Sequence, residues 1–505
     1  MCRRRSSNTS SSGASGGDGG IQQHSNLTVK ARSREEGGTA PARRLGGGPD
    51  ANQTFASSRL RGALLLLLFL AAPRAWAAGI GIPDLGAAAL GQAGATVARP
   101  GDLTALYYNP GALAWLEGFQ IYADLRAIDH RITFQRLDGQ GQNPLGWQPV
   151  SNSGPVAIAP VLGVSWHTGP LTLALGGHPQ TGATGYVYPD PASITGSPAR
   201  LAPQRYLSIE SRSRIYVPVL AAAVQLAPWI GVGAGLQLPV AAFSSRQSVY
   251  AGPVAGEYSD FDATIDLAAR QWFARSGVFG VSLQPLPWLD AGASLQLQTH
   301  FRAAGTIGAQ LPPTAQKLGL TVSGDRINVD TVFPWVARAG LRAHLGALAV
   351  ELAGTFEKWS LLRQIRIQPL DVAVHLGAQE VPLPSLILDK QLRDAGSIRL
   401  GGEFALLPWL RLRAGALYET SAIPENRQAL DWLHWDRFSV NAGAGVRLGR
   451  TDLSFAVARF LQGDRQVRDS ALHQLTAFPV QASVIGNGNF HSAITVAALA
   501  VSTRL

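Results

Sequence analysis

Ten histidines, one cysteine and thirty-three carboxylates are the material from which this 505-residue chain could build a catalytic or metal centre. Their spacing assembles none. No His-Glu-x-x-His run sets two imidazoles on one helical face, and no Gly-x-Ser-x-Gly turn exposes a nucleophilic serine. The histidines are scattered along the chain. The cysteine is Cys2, so thiolate chemistry, a disulfide and a cysteine zinc site are excluded downstream of it. Gly231-x-Gly233-x-Gly235 and Gly443-x-Gly445 have the look of phosphate-binding glycines, but such a loop must open a helix whose N-terminus meets the phosphate. Both lie inside strand-like sequence with no helix after them. The expectation is a protein that is not an enzyme, with no catalytic residue, no metal and no cofactor.

The charge excludes a further class. The formal net charge of +10 suits a nucleic-acid partner. Yet residues 1–78 hold eleven Lys/Arg and four Asp/Glu, so +7 lies there and only +3 is spread over the rest. No basic face emerges to neutralise phosphates, and no nucleic-acid role is expected. Only 15% of residues are charged while 46% are hydrophobic. Soluble domains carry about 25% charged residues. No second long apolar run follows the N-terminal one, so the greasy residues must be dispersed by alternation.

Three segments show that alternation, each opened by Pro-Trp: "LAPWIGVGAGLQL", "PLPWLDAGASLQL" and "LLPWLRLRAGALY". After Trp288 one face carries Leu289, Ala291, Ala293, Leu295 and Leu297. The other carries Asp290, Gly292, Ser294, Gln296, Gln298 and His300. "FSVNAGAGVRL" from Phe438 behaves alike. Period two with one greasy face is the mark of a strand. No helical pattern is long enough to cover so many greasy faces. The strands exceed the usual five or six residues and fit a tilted bilayer crossing. Lipid can cover the outside if the sheet closes and satisfies its own backbone.

Short connections near 167–170, 227–229, 285–288, 345–347, 406–409 and 448–452 alternate with long ones near 138–154, 178–203, 250–260, 310–325, 370–395, 420–434 and 461–490. That alternation predicts an all-β, transmembrane antiparallel barrel of fourteen strands over residues 119–505, with short turns on the periplasmic side. Trp229, Trp288 and Trp409 then form the periplasmic aromatic girdle. Arg411, Arg413 and Arg447 fall on lumen-facing positions, either lining a wet barrel or meeting an anionic ligand. Two long loops, "GYVYPDPASITGSPARLAPQRY" and "VPLPSLILDKQL", are either apolar landing surfaces or segments packed onto the barrel rim.

The N-terminus has its own logic. Residues 1–58 are Ser/Gly/Arg-rich and read as disordered or as a mis-assigned start, with translation beginning downstream at a non-AUG codon such as that of Val29. Residues 59–77 read as a secretory signal: Arg59 and Arg61, an apolar core from Ala63 to Ala72, then Ala75-Trp76-Ala77. That core is too short to cross about 30 Å of hydrocarbon as a helix. Cleavage is expected near Ala77/Ala78.

Residues 78–118 lie between the signal and the first strand. Their Ala78-Gly79-Ile80 start, Gly91-Gln92-Ala93-Gly94 and the turn Asn109-Pro110-Gly111 resemble the start of the outer-membrane long-chain fatty-acid transporter family (FadL/TodX, OMPP1 type). "VFPWVARAGLRAHLGALAVELAGTFEKWS", "AIPENRQALDWLHWDRFSVNAGAGVRLG" and "GNGNFHSAITVAALAVSTRL" resemble its later segments, so the likeness covers residues 78 to 505. The resemblance implies that residues 78–118 form a hatch plugging a fourteen-stranded barrel, with Asn109, Pro110 and Gly111 as the hatch turn. It implies passive uptake of a hydrophobic small molecule, a fatty acid or hydrocarbon, with exit past the hatch or sideways into the bilayer. Ile80, Leu106 and Tyr107 are the candidate ligand contacts. The other expected partners are outer-membrane lipid, lipopolysaccharide and the barrel-assembly machinery, for a monomer. Two departures stand out: Gly111 replaces the family's alanine, which is expected to loosen the plug, and the chain ends in Leu505 rather than an aromatic residue. A lipid-modifying enzyme housed in a barrel, and a structural or adhesive surface barrel, remain as alternative readings.

Overall fold

In a computed structural model, the structure describes residues 81, 84–180, 185–477 and 480–505. The expected disordered start, the signal segment, its cleavage point and Ile80 lie outside the described residues.

Fourteen antiparallel strands close on themselves. Strand 1 (Phe119–Arg136) pairs on one side with strand 2 (Val150–Ser151 and Ala157–Thr168) and on the other with strand 14 (Gly488–Arg504). Between them run strand 3 (Leu171–Pro179 and Gly185–Val187), strand 4 (Glu210–Ala227) and strand 5 (Ile230–Gln237 and Val240–Tyr250). Strand 6 is Asp262–Gln271 and Ser276–Leu286, and strand 7 is Leu289–Gln296 and Thr299–Gln310. Strand 8 is Arg326–Phe333 and Val336–Leu345, strand 9 Leu348–Glu357 and Gln364–Pro369, and strand 10 Leu386–Asp389 and Ala395–Leu407. Strands 11 (Leu410–Glu419), 12 (Arg437–Leu448) and 13 (Thr451–Leu461) complete the ring. The seam between strands 1 and 14 runs unbroken from Gln120↔Arg504 to Arg136↔Gly488. At this seam no edge is left to expose backbone groups to lipid.

The short turns fall where alternation put them, and the Pro-Trp turns share a device. The carbonyls of Trp229, Trp288 and Trp409 accept hydrogen bonds from Gln284, His344 and Arg447, each 2.8 Å. Each turn is thereby pinned to the following hairpin, with its indole exposed on the barrel exterior.

The wall changes solvent part-way up. In the first segment of strand 7, Asp290, Ser294 and Gln296 are buried while Leu295 is exposed. After the break at Leu297–Gln298 the faces swap: Phe301, Ala303 and Ile307 are buried, and Arg302, Ala304 and Thr306 point out. Strand 8 does the same at Pro334–Trp335, with Ile327, Val329 and Phe333 inside above the break and Arg338 and Arg342 inside below it. In strand 6 the break holds Trp272 and Phe273, 63% and 58% exposed. Below the breaks the outside meets lipid and is apolar. Above them the outside meets water, and the apolar face packs inward instead. A one-residue irregularity suffices, because the side-chain period is two. This corrects the sequence expectation for His300: one unbroken alternation put it inside, and the break turns it outward.

Of the two readings of the long loops, the structure favours packing over display. Tyr186, Tyr188 and Tyr206 are buried in an apolar cluster with Phe134 and Phe490 rather than displayed. Leu386–Asp389 is not loop but wall, paired with strand 9 through Gln364↔Asp389 to Ile367↔Leu386. Segments of two long loops pair instead in a small separate sheet: Leu320–Ser323, Ala373–Leu376 and Gln379–Pro382.

The inversion makes a prediction. Ala293→Arg faces hydrocarbon near the middle of its crossing and should cost about 2–4 kcal/mol. Thr306→Arg, outside above the break, should cost close to nothing. Urea unfolding of the barrel in lipid vesicles measures both.

Candidate functional site

Residues 84–116 sit within the ring. Their structure is short and irregular: helices Ala87–Leu90 and Ala105–Tyr108, then a 3-10 turn Pro110–Trp115. Such a segment cannot satisfy its own backbone, so the wall must. Glu351, wholly buried on strand 9, accepts from Val97 N (2.5 Å) and Ala98 N (2.9 Å). Asp124 of strand 1 accepts from Ala87 N at 2.9 Å, and Asn441 of strand 12 donates to Leu90 O at 2.7 Å. Ser282 donates to Ala98 O at 2.8 Å, and Ser294 to Tyr108 O at 2.6 Å. Arg126 donates to the Asp84 carbonyl, and Arg399 closes a buried ion pair with the Asp84 carboxylate. Six strands thus reach the segment with polar side chains, all from the inward column of their alternation.

The turn Asn109-Pro110-Gly111 is the tightest of these junctions. Asn109 caps the 3-10 turn, its Oδ1 accepting from Gly111 N at 3.0 Å. Its Nδ2 donates to Val97 O and to Val281 O of strand 6, both 2.9 Å. Pro110 supplies a fixed φ at the first turn position. Gly111 packs against bare wall backbone: a Cβ there would lie 2.7 Å from Gly280 O and 2.8 Å from Val281 Cα. Wall glycines answer in kind, and a Cβ on Gly233 would meet Pro110 O at 2.3 Å. Gly111 therefore does not loosen this contact, as the comparison with alanine suggested. No larger residue fits.

The other sequence candidates separate. Leu106 is buried with its Cδ1 beside Gly176 of strand 3. Tyr107 lines an internal cavity of about 50 Å³ with Gly81, Gln180, Gln296, Phe333, Val336, Arg338, Trp359 and Glu419 among its walls. Arg413 points inward and is satisfied by Glu403 (2.7 Å) and Ser454 (3.1 Å). Arg411 stands 3.9 Å from the same Glu403. Arg447 is exposed near the short turn and paired with Asp452 at 2.8 Å. All three are held by carboxylates.

Sequence reasoning missed the residues that shape the cavity. Arg338 is buried, with its guanidinium 4.4 Å from the Tyr107 ring centre. Its nearest polar neighbour is Gln296 Oε1 at 3.5 Å, its Nη1 has no hydrogen-bond partner, and no carboxylate pairs with it among the described residues. An aromatic series leads to it from above: Phe243–Phe301 at 6.1 Å, Phe301–Phe333 at 5.2 Å and Phe333–Trp359 at 5.6 Å. The arrangement is a run of packed aromatic side chains ending at an under-satisfied buried cation beside residues 84–116. Arg437 Nη2, in turn, donates to Gly81 O at 2.6 Å beside the cavity. The signal for Arg338 in the sequence is its place on an inward column with Arg342. That marks the lumen without singling out a site.

The wall is incompletely laddered at one place. Ala157–Val161 of strand 2 pair with strand 1, while pairing with strand 3 begins only at Leu162↔Gly177 among the described residues. An external groove of about 630 Å³ lies there, lined by Val156, Ile158, Pro160, Pro179, Arg212, Arg214 and Tyr216 among others.

A family model described as outer membrane protein transport protein (OMPP1/FadL/TodX) matches residues 68–499. No curated protein matches in sequence. Among solved structures, a Pseudomonas aeruginosa FadL homologue is similar with a TM-score of 0.69 at 14% identity, over 84% of this chain and 99% of that one. The Ralstonia pickettii toluene transporter TbuX gives 0.60 at 16% identity, over 84% and 99%. The Pseudomonas putida toluene transporter TodX gives 0.59 at 14%, over 84% and 99%. At these identities the likeness establishes the fold.

Asn109→Ala should leave Val97 O and Val281 O unpaired, and Gly111→Val should drive a side chain into strand 6. Each is expected to cost about 1–3 kcal/mol locally and to free the plug. Planar-bilayer recording should show larger and more frequent openings than the wild-type barrel.

Proposed function

The chain belongs to the OMPP1/FadL/TodX family of outer-membrane transport proteins, and from that premise we propose the route and the kind of solute it carries. It is a transport barrel of the outer membrane and not an enzyme. A hydrophobic molecule enters through the apolar interior above the breaks, passes Phe243, Phe301, Phe333 and Trp359, and settles with its head at Tyr107 and Arg338. The cavity is too small for such a solute beside a seated plug, so entry displaces the Gly81 end from Arg437. Exit then runs through the gap between strands 2 and 3 into the bilayer. Flow is passive, driven by apolar surface leaving water.

Arg338 carries the substrate assignment. A buried guanidinium without a carboxylate is costly, and a ligand carboxylate would pair with it bidentately. A fatty acid fits better than a plain hydrocarbon. Toluene transport, named for two of the similar structures, is the second reading, which the aromatic walls favour.

Four further assignments rest on sequence pattern and on the family resemblance. Residues 78–118 act as the hatch, with Ile80, Leu106 and Tyr107 near the ligand. Residues 59–77 are a signal removed near Ala77/Ala78. The barrel is folded by the assembly machinery and works as a monomer in lipopolysaccharide-containing membrane. Trp229, Trp288 and Trp409 serve as its periplasmic girdle.

Arg338→Gln should reduce uptake of labelled oleate in a deletion strain at least tenfold and leave toluene uptake within twofold. Equal loss of both, or of neither, would remove the carboxylate role.

A further inference from the structure

Above the breaks the barrel's outer face is polar, and its charges are not evenly spread. Arg212 and Arg214 of strand 4, Arg270 of strand 6 and Arg302 of strand 7 project outward. Arg275, exposed in the strand 6 break, lies beside Trp272 and Phe273. The register places these cations relative to one another. Arg214 and Arg270 both pair with Ala242 of strand 5, so two strand spacings, roughly 10 Å, separate them. Arg270 also pairs with Ala304, two residues from Arg302, a diagonal of about 7–8 Å.

Between the arginines the outward residues are small. Ala242, Ser244, Ala268, Ala304 and Thr306 floor an open trough of about 440 Å³, with Arg212, Arg214 and Arg270 in its rim. Some of the surrounding charge is compensated: Arg212 by Glu210 at 2.7 Å, Arg246 by Asp266 at 2.6 Å and Arg302 by Asp330 at 3.7 Å. Arg214, Arg270 and Arg275 have no carboxylate partner among the described residues. Three exposed guanidinium groups without a carboxylate partner among the described residues therefore stand where the wall's outer face changes from apolar to polar.

We propose that this trough binds the phosphorylated sugar headgroup of the outer-leaflet glycolipid, lipopolysaccharide. The apolar outer face just below accommodates acyl chains, the small-residue floor admits a bulky saccharide, and the arginines meet its phosphates with bidentate, charge-assisted hydrogen bonds. Arg212 and Arg214 also line the groove at the gap between strands 2 and 3. A glycolipid held there brackets the gap. The inference concerns the outside of the wall and does not depend on the substrate assignment.

The test titrates rough lipopolysaccharide against the detergent-solubilised full barrel. Three proteins are compared: wild type, R214Q/R270Q/R275Q, and R214K/R270K/R275K. Heat-modifiable gel mobility verifies that each is folded. The glutamine variant should bind at least tenfold more weakly, and the lysine variant should retain most of the affinity. Dephosphorylated lipopolysaccharide should bind the wild type at least tenfold more weakly than the intact form. This last arm decides the matter even if a variant fails to fold. Oleate uptake by an R270Q/R275Q variant, altered only at arginines that do not line the groove at the gap, should stay at the wild-type level, which separates this proposal from the transport reading. Equal binding of intact and dephosphorylated lipid, unchanged binding by the folded glutamine variant, or displacement of lipopolysaccharide by oleate would each overturn it.

Discussion

A mostly irregular segment enclosed in a β-barrel has no water to satisfy its backbone, and the rest of this structure follows from that constraint. Each N–H and C=O of the plug that its short helices leave open needs a partner on the wall. Glu351, Asp124, Asn441, Ser282 and Ser294 supply them. Where backbone must approach backbone, the wall gives up its side chains, as at Gly280 against Gly111. Inward side chains are thus polar or absent where they meet the segment's backbone, while strands 4 and 14 pack apolar columns (Val217, Val219, Ala221, Ile494, Val496) against its apolar residues. The segment is held both by these dispersed hydrogen bonds and by apolar packing of Leu90, Leu106, Leu113 and their neighbours against the wall.

The outer face obeys a second solvent, and the two together explain the breaks in the wall. Below Trp272 and Trp335 hydrocarbon demands apolar residues outside. Above them the strands continue into water and resemble a soluble sheet, greasy inside. That reversal lines the upper interior of the barrel with apolar side chains. Phe301 and Phe333 face inward because the strands that carry them have left the bilayer. It also explains why the long tyrosine-bearing loop is packed down: Tyr186, Tyr188 and Tyr206 have an apolar interior to join.

Much of this was legible in the sequence because alternation and turn length are local. Leu289–Gln296 shows its two faces in eight residues, and the Pro-Trp turns mark three of the hairpins. The reversal at Leu297–Gln298 was not legible, since its cause is the level of the membrane surface, which no short window records. His300 went to the wrong face for that reason. The plug turn could be found at Asn109-Pro110-Gly111, but its fit could not. The residue that forbids a side chain at Gly111 is Gly280, far along the chain. The cavity was hidden in the same way. Tyr107, Arg338 and Trp359 come from the N-terminal segment, strand 8 and the break in strand 9, and nothing in their spacing joins them. A charge on an inward column announces a lumen. Among the described residues, the lack of a carboxylate partner sets Arg338 apart from the paired Arg413 and Arg447, and no inward column announces that.

Hydrogen–deuterium exchange of the barrel in lipid nanodiscs, without and with saturating oleate, tests the central claim most directly. The account predicts that the amides of Ala87, Val97 and Ala98 are protected as strongly as the wall strands when no ligand is present. Oleate should then speed exchange at the N-terminal end of the plug while the seam between strands 1 and 14 stays unchanged. Plug amides exchanging as fast as the long loops without ligand, or a plug indifferent to oleate, would contradict it.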